Sequence, residues 1–147
     1  MATPEECIFC RIAAGDEPAH VVFEDERTMA FLDVRPLFHG HALLIPRDHH
    51  ETLADLPAGL VEPLFANAQL LSRAIPEAMG KPGSFVALNN VVSQSVPHLH
   101  VHIVPRVKKD GLRGFFWPRT KYASETEAGE AAEAVRKQIG EVRPGGS

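Results

Sequence analysis

Of the eight histidines in this 147-residue chain, seven fall into two groups, at 39, 41, 49 and 50 and at 98, 100 and 102. The second group alternates with apolar residues in the run His98-Leu99-His100-Val101-His102-Ile103-Val104. Strand side chains alternate between faces, so this run predicts three imidazoles on one wall, with Leu99, Val101 and Ile103 turned to the core. A rise of about 3.3 Å per residue sets neighbouring imidazoles ~7 Å apart and the outer two ~13 Å apart. One metal ion could hold two of them but not all three, so at least one histidine has other work. A neutral imidazole is both a nucleophile and a proton carrier near neutral pH.

Two further groups could add chemistry. Ser93-Gln94-Ser95, just ahead of the histidine run, offers hydroxyl, amide and backbone donors that suit a phosphate group approaching the histidine wall. Cys7-x-x-Cys10 can be half of a zinc site, a redox pair or two buried thiols. A redox pair usually opens a helix inside a βαβ unit, whereas these cysteines precede an apparent antiparallel hairpin, which disfavours that reading. Closing so short a loop with a disulfide would constrain little of the unfolded chain. Two histidines would complete a Cys₂His₂ tetrahedron, and the available donors are the 39–50 group and His98.

These groups need elements to hold them. Residues 19–25 and 28–34 are β-prone runs separated by Glu26-Arg27, which predicts a hairpin. His41 to Ile45 reads as a largely buried strand closed by Pro46. Across 58–79, Leu60, Leu64, Phe65, Ala68, Leu71, Ile75 and Met79 recur at helical spacing with Gly80 as the stop, placing Pro63 in the first turn and Pro76 near the end. Phe85–Asn89 and Leu99–Val104 supply two more strands. Residues 124–139 read as an amphipathic helix capped by Ser124 or Thr126. The expectation is an α+β domain with a mainly antiparallel five-stranded sheet and one long helix.

Composition narrows the function classes. At 44% hydrophobic and 23% charged, the chain fits one compact domain with its own core. Its apolar runs reach four residues, far below the ~18–20 that span a bilayer, so no membrane partner is expected. The acidic start Met-Ala-Thr-Pro-Glu-Glu-Cys has no signal-peptide apolar stretch, so the expected location is the reducing cytoplasm, with free thiols. A net charge of −4 argues against binding a nucleic-acid duplex, although residues 106–121 carry a local +5 that would suit an anionic ligand.

The chain resembles the histidine-triad (HIT) family. The resemblance rests on His98 to Val104 preceded by Gln94-Ser95-Val96, on Cys7-Ile8-Phe9-Cys10-Arg11-Ile12, on Phe31-Leu32-Asp33-Val34-Arg35-Pro36, and on Gly40-His41-Ala42-Leu43-Leu44-Ile45-Pro46-Arg47-Asp48-His49. It spans residues 6–106 and departs at Asn89-Asn90-Val91-Val92-Ser93, a stretch shorter than usual and without the family's glycines. It implies a HIT domain over 1–110, followed by a C-terminal extension over 111–147. The implied activity is nucleotidyl hydrolysis or transfer at the α-phosphate of a purine nucleotide ester, anhydride or phosphoramidate, through a covalent nucleotidyl-histidine.

By position in the motif, the resemblance makes His100 the nucleophile, with His41 and His102 beside the phosphate. It assigns phosphate contacts to Ser95, Gln94 and either Asn89 or Asn90. Phe9, Ile12, Phe31 and Leu32 would enclose the base, and Asp33 would reach the ribose hydroxyls. It also implies a structural zinc on Cys7, Cys10, His49 and His98, with His50 a rival to His49 by adjacency. A homodimer is implied in which residues 106–122 complete the active site; Arg113, Phe115, Phe116, Trp117, Arg119 and Tyr122 concentrate cations and aromatics there. Two other readings use the same residues: a catalytic zinc with an open position on His98 and His100, and a nucleotide-binding regulatory protein with residual hydrolysis.

Overall fold

The structure, a computed structural model, describes residues 6–112 and 119–142. The chain divides into two compact units, Met1–Asp110 and Gly111–Ser147. Arg113, Phe115, Phe116 and Trp117 lie outside the described residues.

The first unit contains α1 (Ile8–Ala14), β1 (Val21–Glu24), β2 (Thr28–Leu32), β3 (Ala42–Pro46), a 3-10 turn (Leu53–Asp55), α2 (Ala58–Ala78), β4 (Gly83–Ala87) and β5 (Val101–Arg106). The strands form one sheet in the order β1-β2-β3-β5-β4, antiparallel at every pairing. The β1–β2 hairpin turns on Asp25, whose Oδ1 accepts the N–H groups of Arg27 at 2.9 Å and Thr28 at 2.8 Å.

β3 is buried throughout because it lies mid-sheet with a helix over each face. Its alternation sorts the core in two. Ala42 and Leu44 join Leu99, Val101 and Ile103 under Leu64, Ala68, Leu71 and Ile75 of α2. Leu43 and Ile45 face the other way, joining Met29 and Phe31 under Cys7, Phe9 and Ile12 of the α1 segment. Each fully buried Leu, Ile or Phe contributes about 1.5–3 kcal/mol.

Four features differ from the sequence expectations. α1 was not anticipated, although Gly15 at φ 83° marks its end and Ile8, Phe9 and Ile12 have helical spacing. Pro63 lies past the first turn of α2; the Gly59 carbonyl, which a residue with an N–H at 63 would have bonded, stands 3.5 Å from the Arg27 guanidinium that donates to it. β5 begins at Val101, so His98 and His100 precede the strand and only His102 lies within it. β4 spans Gly83–Ala87, two residues before the expected Phe85–Asn89.

Gly80 does end α2 as expected, at φ 66°. In the second unit α3 spans Glu125–Val142, and Ser124 Oγ accepts the Glu127 N–H at 3.1 Å, the expected cap. Among the described residues no helix is long and apolar enough to cross a membrane.

Candidate active site

The three histidines of the motif are not held by a common strand: His98 and His100 are oriented by backbone carbonyls and His102, within β5, by the His41 ring. His98 is fully buried, and its Nε2–H donates to the Pro46 carbonyl at 2.8 Å, which leaves Nδ1 with the lone pair. His100, also buried, donates Nδ1–H to the carbonyl of His98 at 2.7 Å, so its lone pair lies on Nε2. Leu99 between them is in the core, its N–H on the His50 carbonyl at 2.7 Å.

His41 and His102 form a relay. The Leu37 N–H donates to His41 Nδ1 at 3.0 Å, so the proton of neutral His41 is on Nε2. That atom is 2.9 Å from His102 Nδ1, which must then accept, and the His102 proton is left on Nε2. Burial lowers the His41 pKa against the pull of Asp33, whose Oδ2 is 3.7 Å from His41 Nε2. Burial, with the nearby charges of His100 and His41, takes His102 down to about 4. Both rings are therefore neutral near pH 7. Gly40, at φ 95°, leads into His41, and a Cβ there would stand 2.6 Å from the Met79 side chain.

His100 and His102 open on a cavity of about 370 Å³, in the size range of small-ligand sites. Phe9, Phe31, Leu32, Asp33 and Ser95 line it. Gln94 and Asn89 do not: Gln94 Nε2 donates to the Glu51 carbonyl and its Oε1 accepts the Val91 N–H at 3.0 Å, while Asn89 Nδ2 donates to the Ser93 carbonyl at 3.2 Å. Asn90 Oδ1 is likewise engaged, by the Leu53 N–H at 2.9 Å. These amides hold the loop ahead of the histidines, where Val91 and Ser93 adopt positive φ.

On the far side of His98, Cys7, Cys10, His49 and His98 converge, with one ligand atom from each lying within 4.8 Å of the others. His50 is not in the cluster. Cys7 is the N-cap of α1, and Cys10 donates its N–H to Cys7 Sγ at 3.4 Å. The cysteine pair thus opens a helix after all, but one that lies against an antiparallel sheet. Arg47 was missed by sequence reasoning. Its guanidinium donates to the Ala13 carbonyl at 3.2 Å, the Asp25 carbonyl at 2.7 Å and Glu24 Oε2 at 3.1 Å, tying the end of α1 to the hairpin.

Residues 14–109 match the model of the HIT domain. The chain belongs to the HIT family. Adenylylsulfatase HINT3 of Arabidopsis thaliana is 33% identical over 91% of this chain and 70% of its own length. Protein hit of Bacillus subtilis is 39% identical over 80% and 82%. Adenosine 5'-monophosphoramidase hnt1 of Schizosaccharomyces pombe is 34% identical over 76% and 83%. Among solved structures, a Streptococcus mutans protein matches with a TM-score of 0.82 at 34% identity, covering 91% of this chain and 85% of the other. A Zn-bound histidine triad family protein from Mycobacterium smegmatis matches with a TM-score of 0.71 at 34% identity, covering 93% and 97%.

The donors of this HIT protein fit zinc at one cluster and not at another. At the Cys₂His₂ cluster, Pro46 leaves His98 Nδ1 bare and facing Cys7 Sγ at 3.4 Å and Cys10 Sγ at 3.5 Å. Such a carbonyl partner is the usual orienting bond of a metal-bound imidazole. His49 Nδ1 stands 3.3 Å from Cys10 Sγ, and His49 Nε2 is buried without a partner among the described residues. Burial, with the hydrogen bond and charge of Cys7 and the charge of Asp48, pushes Cys10 up to about 12, a load that a dication relieves. The second cluster, Asp33, His41 and His102, has carboxylate and imidazole donors, but Leu37 occupies the acceptor nitrogen of His41 and keeps a proton where a metal would bind.

Proposed function

We propose that the protein is a nucleotidyl hydrolase that cleaves at the α-phosphate of a purine nucleotide ester, anhydride or phosphoramidate through an intermediate on His100. The observation that carries this reading is the 2.7 Å bond from His100 Nδ1 to the His98 carbonyl, which leaves the Nε2 lone pair free to attack at a cavity of nucleoside size. As Nε2 bonds to phosphorus the ring becomes cationic, and the same carbonyl stabilises its Nδ1–H. The bond from phosphorus to the leaving group breaks, with His102 Nε2–H donating to the departing atom or a phosphoryl oxygen and His41 Nε2–H supporting it from behind. Water then displaces His100 from phosphorus.

Asp33 at the cavity wall takes the ribose hydroxyls, Phe9, Phe31 and Leu32 enclose the base, and Ser95 meets the phosphate. Gln94 and Asn89 serve the phosphate through the shape of their loop. Cys7, Cys10, His49 and His98 would hold a zinc ion, which with four protein ligands has no open position and supplies structural cross-linking. The names of the two activity-bearing relatives support an adenylyl substrate.

The protein forms a homodimer in this reading. Supporting it, Val86 of β4 and Val61, Phe65 and Leu70 of α2 are exposed. Free Cys7 and Cys10 suit a reducing cytoplasm.

A panel of adenosine phosphoramidate, adenylyl sulfate and a dinucleoside polyphosphate tests the activity, with rapid quenching to trap the intermediate. Turnover with the nucleotidyl group recovered on His100 is expected. A label on His98 or His102, or turnover of none of the three, would overturn it.

A further inference from the structure

α1 is seven residues long, below the ~12–15 at which an isolated helix persists in water, so its place on the sheet depends on anchors. Two kinds of anchor interleave along it. Cys7 and Cys10 converge with His49 and His98. Between them Phe9 turns into the sheet at 7% exposure, followed by Ile12 at 8%.

The Phe9 ring stands edge-on to three others: His98 at 5.9 Å, His100 at 5.1 Å and Phe31 at 5.3 Å between centroids. Phe9, Ile8 and Ile12 also line the cavity that reaches His100 and His102. One short helix therefore carries both thiols of the Cys/His cluster and a wall of the cavity. Within it, a single side chain touches an imidazole of that cluster, the nucleophile and the wall.

We propose that Phe9 is a positioning residue that couples the Cys/His zinc site to the nucleotide cavity, so that filling either site raises the affinity of the other. The coupling rests on the reading of the cavity as a nucleotide site. Zinc on Cys7 and Cys10 pins the first turn of α1, and this presents the wall already formed and holds the Phe9 ring against His100. A nucleotide against the same wall holds α1 down and opposes opening of the cluster. Coupling between two sites is reciprocal in binding free energy and typically amounts to ~5–150-fold.

The test uses the full chain loaded with zinc and adenosine 5′-monophosphate as the nucleotide probe. Zinc affinity is measured by equilibrium competition with a chromogenic chelator, with and without saturating nucleotide, and nucleotide binding is followed separately by calorimetry. Nucleotide is expected to tighten zinc by about five-fold or more, and zinc to tighten nucleotide by the same factor. Phe9→Leu keeps an apolar side chain but removes the ring edge; it should still bind one zinc, show a coupling factor near one, and raise KM more than it lowers kcat. Unchanged zinc affinity while calorimetry shows nucleotide bound overturns the coupling and leaves the cavity reading intact. Failure of calorimetry to detect nucleotide overturns the cavity reading and the coupling with it. Full coupling in Phe9→Leu overturns the role of Phe9 and transfers it to the His98 backbone.

Discussion

His100 Nδ1 lies 2.7 Å from the carbonyl oxygen of His98, a residue whose ring faces the two cysteines while its backbone orients the His100 ring. The bond fixes which nitrogen of His100 carries the lone pair.

Replacing His100 should therefore remove the reaction and spare the fold. His100→Asn is expected to lower kcat by about 10⁴-fold or more while adenosine 5′-monophosphate still binds, since Asp33 and the apolar walls remain. Single-turnover kinetics with calorimetry on the same variant checks both halves. Loss of binding together with turnover would show that the site had collapsed.

The relay gives a pH dependence with a definite sign. Unfolded histidine takes up a proton near pH 6.5, whereas burial keeps His41 below that value and His102 neutral down to about 4. Between these values the unfolded state binds more protons, so stability from these groups is full above about pH 6.5 and falls as pH drops toward about 4. A His102→Gln variant should show a shallower loss of thermal stability over the same window, measured by thermal melts from pH 7 to 4.

The Cys/His cluster should behave as a closed structural site. Metal analysis is expected to find one zinc per chain, and Cys10→Ser should lower Tm by roughly 10 °C while changing kcat per folded molecule far less. Chelation that abolished turnover while circular dichroism stayed native would favour a catalytic zinc instead.

Arg47 makes three directional bonds to α1 and the β1–β2 hairpin that an ammonium cannot reproduce together. Arg47→Lys should cost ~1–3 kcal/mol in chemical denaturation. A loss indistinguishable from that of an exposed-lysine control would show that α1 is held without it.

Sedimentation should give a dimer. Removal of residues 107–147 is expected to raise KM or alter leaving-group preference without preventing formation of the intermediate on His100. A monomer, or a truncated chain with unaltered preference, would count against the extension completing the site.

Much of this was legible in one dimension because it depends on local periodicity. The unbroken apolar run from Ala42 to Ile45 marks a buried strand, and the three-and-four spacing of Leu64, Ala68, Leu71 and Ile75 marks the apolar face of the helix that covers it. Gly80 and Ser124 announced where helices end and start because capping is local chemistry. The histidine run and the cysteine pair marked by their spacing which residues could do chemistry.

The tertiary structure decided what each of those residues faces. Strand alternation predicted one wall of three imidazoles, yet His98 and His100 lie before the strand and are turned by carbonyls at Pro46 and at His98 itself. Which nitrogen carries each proton depends on Leu37, Pro46 and the partner ring, contacts between segments with no signature in sequence spacing. The same holds for Gln94 and Asn89, whose residue types suit a phosphate but whose amides are engaged by loop backbone. α1 escaped detection because seven residues carry too little periodicity to stand out, and its stability comes from what lies beneath it. Residue type and spacing determine the available chemistry; only long-range hydrogen bonds and burial determine which atom performs it.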